Sequence, residues 1–217
     1  AAKRPILVTG EEGLITSTDS FKYLGITITE DLDDSSTIRA RIVQANKTYG
    51  ATKWLLCDKH ANKENRVKLF KAIVQNTLLY GAEIWVIKAS DRREIDTFYN
   101  KCIRAMSFIT IPIMKKRHIR QYYLEQKLGV KPIREVVIER QLSYVGHVFR
   151  MDHNERLPRN FISSWLPRPR KKGGQTKTYG ASVKDSLKRR RLDLDQIRSH
   201  KNNGQWWYRV RCNDRQK

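Results

Sequence analysis

Phe21-Lys22-Tyr23-Leu24-Gly25-Ile26-Thr27-Ile28 is the stretch on which the reading of this chain turns. Phe21, Tyr23, Gly25 and Thr27 alternate with Lys22, Leu24, Ile26 and Ile28. Aromatic and β-branched residues at a period of two specify a strand rather than a helix. Gly25 removes a side chain inside the run, which marks a bulge or a place where another backbone comes close. The plain structural expectation is a strand that packs Leu24, Ile26 and Ile28 into a core. Upstream, residues 5–8 and 14–16 flank the turn Gly10-Glu11-Glu12-Gly13 and read as a hairpin, so the 20–29 strand completes a small three-strand unit.

Downstream the period changes to that of helices. An acidic turn, 31–36, offers Asp and Ser as caps for a helix over 36–56, where Ile38, Ile42, Ala45, Tyr49 and Thr52 form one stripe. Arg39, Arg41, Lys47 and Lys53 lie on its other sides, either as a solvated face or as a surface that rides on phosphates. Asn62 caps a second helix with Val67, Phe70, Ile73, Val74, Thr77 and Leu78 inward. Ser90 caps a third, with Asp91 and Glu94 in its first turn and Ile95, Phe98, Cys102, Ile103 and Met106 inward. Together these three helices form a bundle around one core. Pro112 ends that block, and the cluster Lys115-Lys116-Arg117-His118 opens a short helix reaching about Lys127. Gly129 closes it and Pro132 starts an amphipathic helix over 133–150. His147 and His153 read as packing or hydrogen-bonding residues.

The chain has 217 residues with 44 Lys and Arg against 22 Asp and Glu, a net charge of +22. Such a charge repels itself unless a polyanion neutralises it, and nucleic acid is the leading partner, ahead of an anionic membrane surface. From Glu155 to Lys217 there are 18 Lys and Arg against 5 Asp and Glu, a net +13. Leu166 to Gly174, containing Arg168, Arg170, Lys171 and Lys172, reads as an exposed basic loop. A short helix over 181–190 ends in Lys188-Arg189-Arg190-Arg191, and Trp206-Trp207-Tyr208 closes the chain among arginines. Aromatics interleaved with arginine suit single-stranded nucleic acid; equally, one tryptophan can plug the last helix onto the bundle while the other stacks on a base.

No apolar run is long enough to cross a membrane, and no signal-peptide pattern opens the chain. The chain begins Ala-Ala-Lys, which reads as a processed product or a piece of a longer protein. Cys57, Cys102 and Cys212 are odd in number and far apart, so a reduced intracellular protein is expected. Cys57 and His60 have metal-ligand spacing but lack a second pair. Cys102, on an apolar helix face, reads as a small hydrophobe rather than a nucleophile.

Three segments in order carry a resemblance. Phe21-Lys22-Tyr23-Leu24-Gly25 resembles the primer-grip region of LINE-type non-LTR retrotransposon reverse transcriptases. Leu78-Leu79-Tyr80-Gly81-Ala82-Glu83-Ile84-Trp85 is similar to the family's Leu-Leu-Tyr-Gly-x-Glu-x-Trp segment. Arg140 to Met151 is similar to its Arg-x-Leu-x-Trp-x-Gly-His-x-x-Arg-Met helix, with Tyr144 where the family usually has Trp. The resemblance implies a mainly α fold: the end of a palm with a primer-grip hairpin (1–30), a helical thumb (31–112), a helical hairpin (113–154) and a basic helical extension (155–217). It implies that Phe21, Lys22, Tyr23, Leu24 and Gly25 support the primer end. Basic helix 36–56, through Arg39 and Lys47, would lie along the template–primer backbone. Lys115, Lys116, Arg117, the 168–172 loop, Arg189, Arg190, Trp206 and Trp207 would complete the nucleic-acid surface.

Template RNA and primer or target DNA are the implied partners, with a large ribonucleoprotein as a further one, in the nucleus and in cytoplasmic ribonucleoprotein. The family's zinc motif is missing. Its catalytic aspartates, which hold Mg²⁺, lie before the Phe-Lys-Tyr-Leu-Gly stretch, so no cofactor is expected in this chain; Asp33-Asp34 is the only adjacent pair and lacks their context. Two other readings stay open: a non-enzymatic RNA-binding protein derived from such an element, and a sequence-specific DNA binder using 117–150 as a helix-turn-helix.

Overall fold

The structure, a computed structural model, describes residues 6–7, 14–15, 18–29, 33–151, 158, 178–200 and 202–212. Helices dominate, as the sequence predicts; ahead of them the described strands form two separate two-stranded antiparallel hairpins and not the expected three-strand unit. Strands β1 (Ile6–Leu7) and β2 (Leu14–Ile15) pair with Ile6 opposite Ile15.

The 20–29 segment is itself a hairpin and not one strand. β3 (Ser20–Tyr23) pairs with β4 (Ile26–Thr29), placing Phe21 opposite Ile28 and Tyr23 opposite Ile26. Leu24 and Gly25 form the turn, with φ of 46° and 80°. Positive φ at both central residues is what a primed two-residue turn needs, and its twist matches the strands it joins. The turn reverses the alternation expected from sequence: Ile26 and Ile28 share a face with Phe21 and Tyr23. Leu24 and Ile28 are exposed, and Ile26 alone of the expected trio is packed inward, against Gly81.

Helix α1 (Ser35–Leu56) buries Ile38, Ala45, Tyr49 and Leu56. α2 (Lys63–Leu69) starts at Asn62, whose side chain accepts from the Glu64 N–H at 2.7 Å, and runs through a π-helical turn (Phe70–Gln75) into α3 (Asn76–Leu78). The wider turn, absent from the sequence pattern, brings Gln75 inside, where its Oε1 accepts from the Tyr99 hydroxyl at 3.2 Å. α4 (Ala89–Met106) begins one residue before the Ser90 cap expected. Asp91 Oδ2 accepts from the Lys88 N–H and, across the bundle, from the Ser35 hydroxyl. Arg66, buried, donates to the carbonyls of Leu56 and Met106 at 3.2 and 3.1 Å, capping the C-terminal ends of α1 and α4 together.

Pro112 lies at the start of α5 (Ile111–Lys116) and does not merely end the preceding block. Lys115 and Lys116 fall in its last turn, so the basic cluster closes a helix instead of opening one. His118, at φ 52°, completes the break before α6 (Gln121–Leu128). Gly129 terminates α6 in the left-handed region, and α7 (Ile133–Arg150) follows Pro132.

Two apolar clusters meet along α7. The first joins α1 to α4 and α6 with Ile133 and Val137. The second joins Ile138, Leu142, Val145, Val148 and Phe149 to the C-terminal helices α8 (Tyr179–Arg189), α9 (Leu194–Ser199) and α10 (Gly204–Cys212). Trp207 inserts over Gly146, where an added Cβ would lie 2.8 Å from its ring. α7 is therefore covered on both sides.

Candidate nucleic-acid interface

The β3–β4 hairpin is exposed at its tip yet pinned at its turn. Phe21, Tyr23 and Leu24 are 61%, 58% and 72% exposed. Arg41 of α1 donates to the Gly25 carbonyl at 2.6 Å, and its guanidinium lies 4.2 Å from the centre of the Tyr80 ring. The Tyr80 hydroxyl donates to the Leu24 carbonyl at 3.2 Å. On the opposite edge, Thr37 Oγ1 accepts from the Thr27 N–H and donates to the Thr27 carbonyl, both at 3.0 Å. An added Cβ at Gly25 would sit 2.6 Å from the Arg41 guanidinium, so glycine serves both the turn and the close approach. These contacts hold Leu24 in a conformation that a side chain normally avoids.

The three sequence segments quoted above meet in space. Leu24 is fastened by Tyr80, and Gly25 by the Arg41 that lies over the Tyr80 ring. Arg140 of α7 donates to the Leu79 carbonyl at 2.9 Å and to the Asn76 side chain, and pairs with Glu83 at 3.4 Å. Gln141 donates to the Trp85 carbonyl at 3.0 Å and accepts from the Ser186 hydroxyl. Tyr179 donates to the Glu83 carbonyl. Most of the residues that make these segments conspicuous are fasteners, while Phe21, Lys22, Tyr23 and Leu24 remain outward.

The cations separate into free and engaged groups. Lys47, Lys115, Lys116, Arg117 and Arg189 are exposed. Arg39 is exposed and pairs with Glu94 at 3.4 Å, a surface contact worth little in water. Arg190, expected on the nucleic-acid surface, is instead buried: its side chain is 4% exposed and lies 3.1 Å from Glu135 and 3.7 Å from Glu139. Trp207 is likewise withdrawn, 3% exposed over α7. Trp206 is half-buried, stacked on His200 at 4.9 Å and edge-on to Trp207 at 5.0 Å. The burial has one cause: α10 must hide an apolar face against α7, and Trp207 and Val210 supply it. Arg168, Arg170, Lys171 and Lys172 lie outside the described residues.

Sequence reasoning missed several exposed aromatics. Trp54, 76% exposed, stands beside Lys53 on the outer side of α1; its position off the apolar stripe was the available signal. Tyr122 and Tyr123 project from α6 just after the basic cluster. In both places an exposed ring lies close in sequence to exposed cations, the composition that single-stranded nucleic acid uses.

Asp33 and Asp34 are occupied structurally. Asp33 accepts from the Ser35 N–H and hydroxyl and pairs with Lys88 at 2.6 Å. Burial alone would raise its pKa, but the Lys88 and Ser35 hydrogen bonds outweigh this and hold it below its usual value. Asp34 accepts from the Val86 N–H at 2.7 Å, yet burial, with Asp33 and Asp91 nearby, pushes its pKa up. Among the described residues no cluster of three or more His, Cys, Asp or Glu could hold a metal ion. Cys57 lies 3.6 Å from the Tyr49 hydroxyl. Burial pushes the Cys102 thiol up to about 12, which suits a packing residue and not a nucleophile. No described helix is long and apolar enough to cross a membrane.

No protein-family profile, no curated protein and no solved structure matches the chain.

Proposed function

We propose that this chain is a nucleic-acid-gripping part of a reverse transcriptase of the LINE type, holding the primer–template duplex for RNA-directed DNA synthesis whose catalytic carboxylates come from elsewhere. The hairpin tip carries the reading: Phe21, Tyr23 and Leu24 stay exposed while Arg41, Tyr80 and Thr37 hold the hairpin still. Exposed apolar surface on a fixed support marks a contact site. Aromatic rings there can stack on a terminal base while Lys22 meets the adjoining phosphate. The net charge of +22 supplies sequence-independent attraction, and Lys47 and Lys53 on α1 extend a basic track along the backbone. Template RNA and primer or target DNA are the partners.

The test is binding of the full chain to an RNA–DNA hybrid with a recessed 3′ end and to the blunt hybrid of equal length. Tyr23→Ala should weaken the recessed substrate by about tenfold, the scale of one lost stacking contact, and leave the blunt one nearly unchanged. Equal losses on both would refute a grip on the primer end. RNA binding with no regard for ends would support instead a non-enzymatic RNA-binding module, either an adaptor or a ribonucleoprotein subunit.

A further inference from the structure

We propose that the cleft between α4, α7 and α8 is a phosphodiester-binding pocket, a second nucleic-acid contact that takes its ligand class from the reading above. Arg92 and Asp96 of α4, Arg134 of α7, and Ser182, Asp185 and Arg189 of α8 line it above an apolar floor. It encloses a cavity of about 40 Å³, room for roughly three waters at about 10–15 Å³ each. Two donors in it are buried with no partner among the described residues: the Ser182 hydroxyl, on a residue 6% exposed, and Arg134 Nε. Native structures rarely leave such groups unpaired, and a ligand oxygen would satisfy both. Ser186 and Gln141, which also line the cleft, are already bonded to one another and to the Trp85 carbonyl, so they hold the wall and leave the donors to Ser182 and Arg134.

Charge selects the ligand. Arg92, Arg134 and Arg189 favour an anion, and Asp96 presses less on a singly charged phosphodiester than on a phosphate dianion. The pocket shares no residue with the hairpin tip, so it is a contact distinct from the one proposed for the primer end.

Titration of the full chain with dimethyl phosphate, followed by thermal unfolding against chloride at equal ionic strength, reads this pocket when the parent is compared with variants in its lining. Dimethyl phosphate should raise the unfolding temperature above the chloride control. Ser182→Ala and Arg134→Gln should each weaken the ligand by about tenfold or more, the scale of a hydrogen bond to a charged group. Ser182→Ala removes only an unpaired hydroxyl, so its fold is retained, and unchanged affinity in it overturns the proposal. A rise no greater than chloride gives overturns it too. A dinucleoside monophosphate binding more tightly than dimethyl phosphate would tie the pocket to a nucleic-acid strand, whereas inorganic phosphate outcompeting both would overturn the phosphodiester assignment. Tyr23→Ala should leave this titration untouched, so failure of the primer-grip reading and failure of the pocket are distinguishable.

Discussion

Gly146→Ala offers a sharp check on how the C-terminal helices are held, because its sign should depend on a single partner. In an isolated helix the change stabilises by about 1 kcal/mol, since alanine loses less backbone entropy and shields the chain. Here the new methyl would lie 2.8 and 2.9 Å from three ring carbons of Trp207, inside any normal contact. Trp207 cannot easily retreat: it is buried, with Trp206 edge-on at 5.0 Å. Overpacking of this kind costs about 1–3 kcal/mol, so the net effect is a loss of up to about 2 kcal/mol once the propensity gain is deducted. In a Trp207→Ala background, itself destabilised by about 3–5 kcal/mol, the clash is gone and Gly146→Ala should become stabilising. The coupling between the two sites equals the overpacking energy. Urea unfolding followed by circular dichroism on the two single variants, the double variant and the parent measures it. A Gly146→Ala effect of the same sign in both backgrounds would refute the packing of α10 on α7.

Two further outcomes follow from the hairpin and the acidic turn. Arg41→Ala removes both the charged hydrogen bond to Gly25 and the stack on Tyr80, a loss of roughly 1.5–3 kcal/mol; hydrogen exchange at residues 20–29 should speed up while α4 amides stay protected, and unchanged exchange would show that Arg41 does not pin the turn. Asp33 and Asp34 should respond to pH in opposite senses. The lowered pKa of Asp33 means its stabilising effect is present above its ordinary value of 3.8 and lost as pH falls through the folded value, so Asp33→Asn should be destabilising near neutrality and less so in acid. The raised pKa of Asp34 means stability is lost as pH rises through its folded value; Asp34→Asn, which keeps an acceptor for the Val86 N–H, should be neutral or stabilising at pH 7, with the difference fading below 3.8. Stability curves of both variants between pH 3 and 7 decide this, and parallel curves would contradict the assignment.

Much of the fold follows from local pattern. The stripe Ile38, Ala45, Tyr49 commits α1 to a buried face, Asn62 caps α2, and Gly129 with Pro132 ends one helix and begins the next; in each case the cause lies within a few residues. The segments around Tyr80 and Arg140 are conspicuous in sequence, but nothing local says that one fastens the hairpin and the other fastens α7 to the residues after α3. The resemblance implies a hairpin here, but the alternation does not show its turn, because Leu24 is a poor turn residue, held there by the bonds of Tyr80 to its carbonyl and of Arg41 to that of Gly25.

The same division governs the site. Charge alone carries the proposal of a polyanionic partner, since 44 cations against 22 anions are legible without a fold. Which cations and rings face outward is a tertiary matter. Arg190 and Trp207 look no different in sequence from Arg189 and Trp206, yet the packing of α8 and α10 on α7 buries the first of each pair. Composition sets the sign of the partner, a property that sums over residues, whereas availability depends on which face each helix must hide, which is settled only when the helices pack.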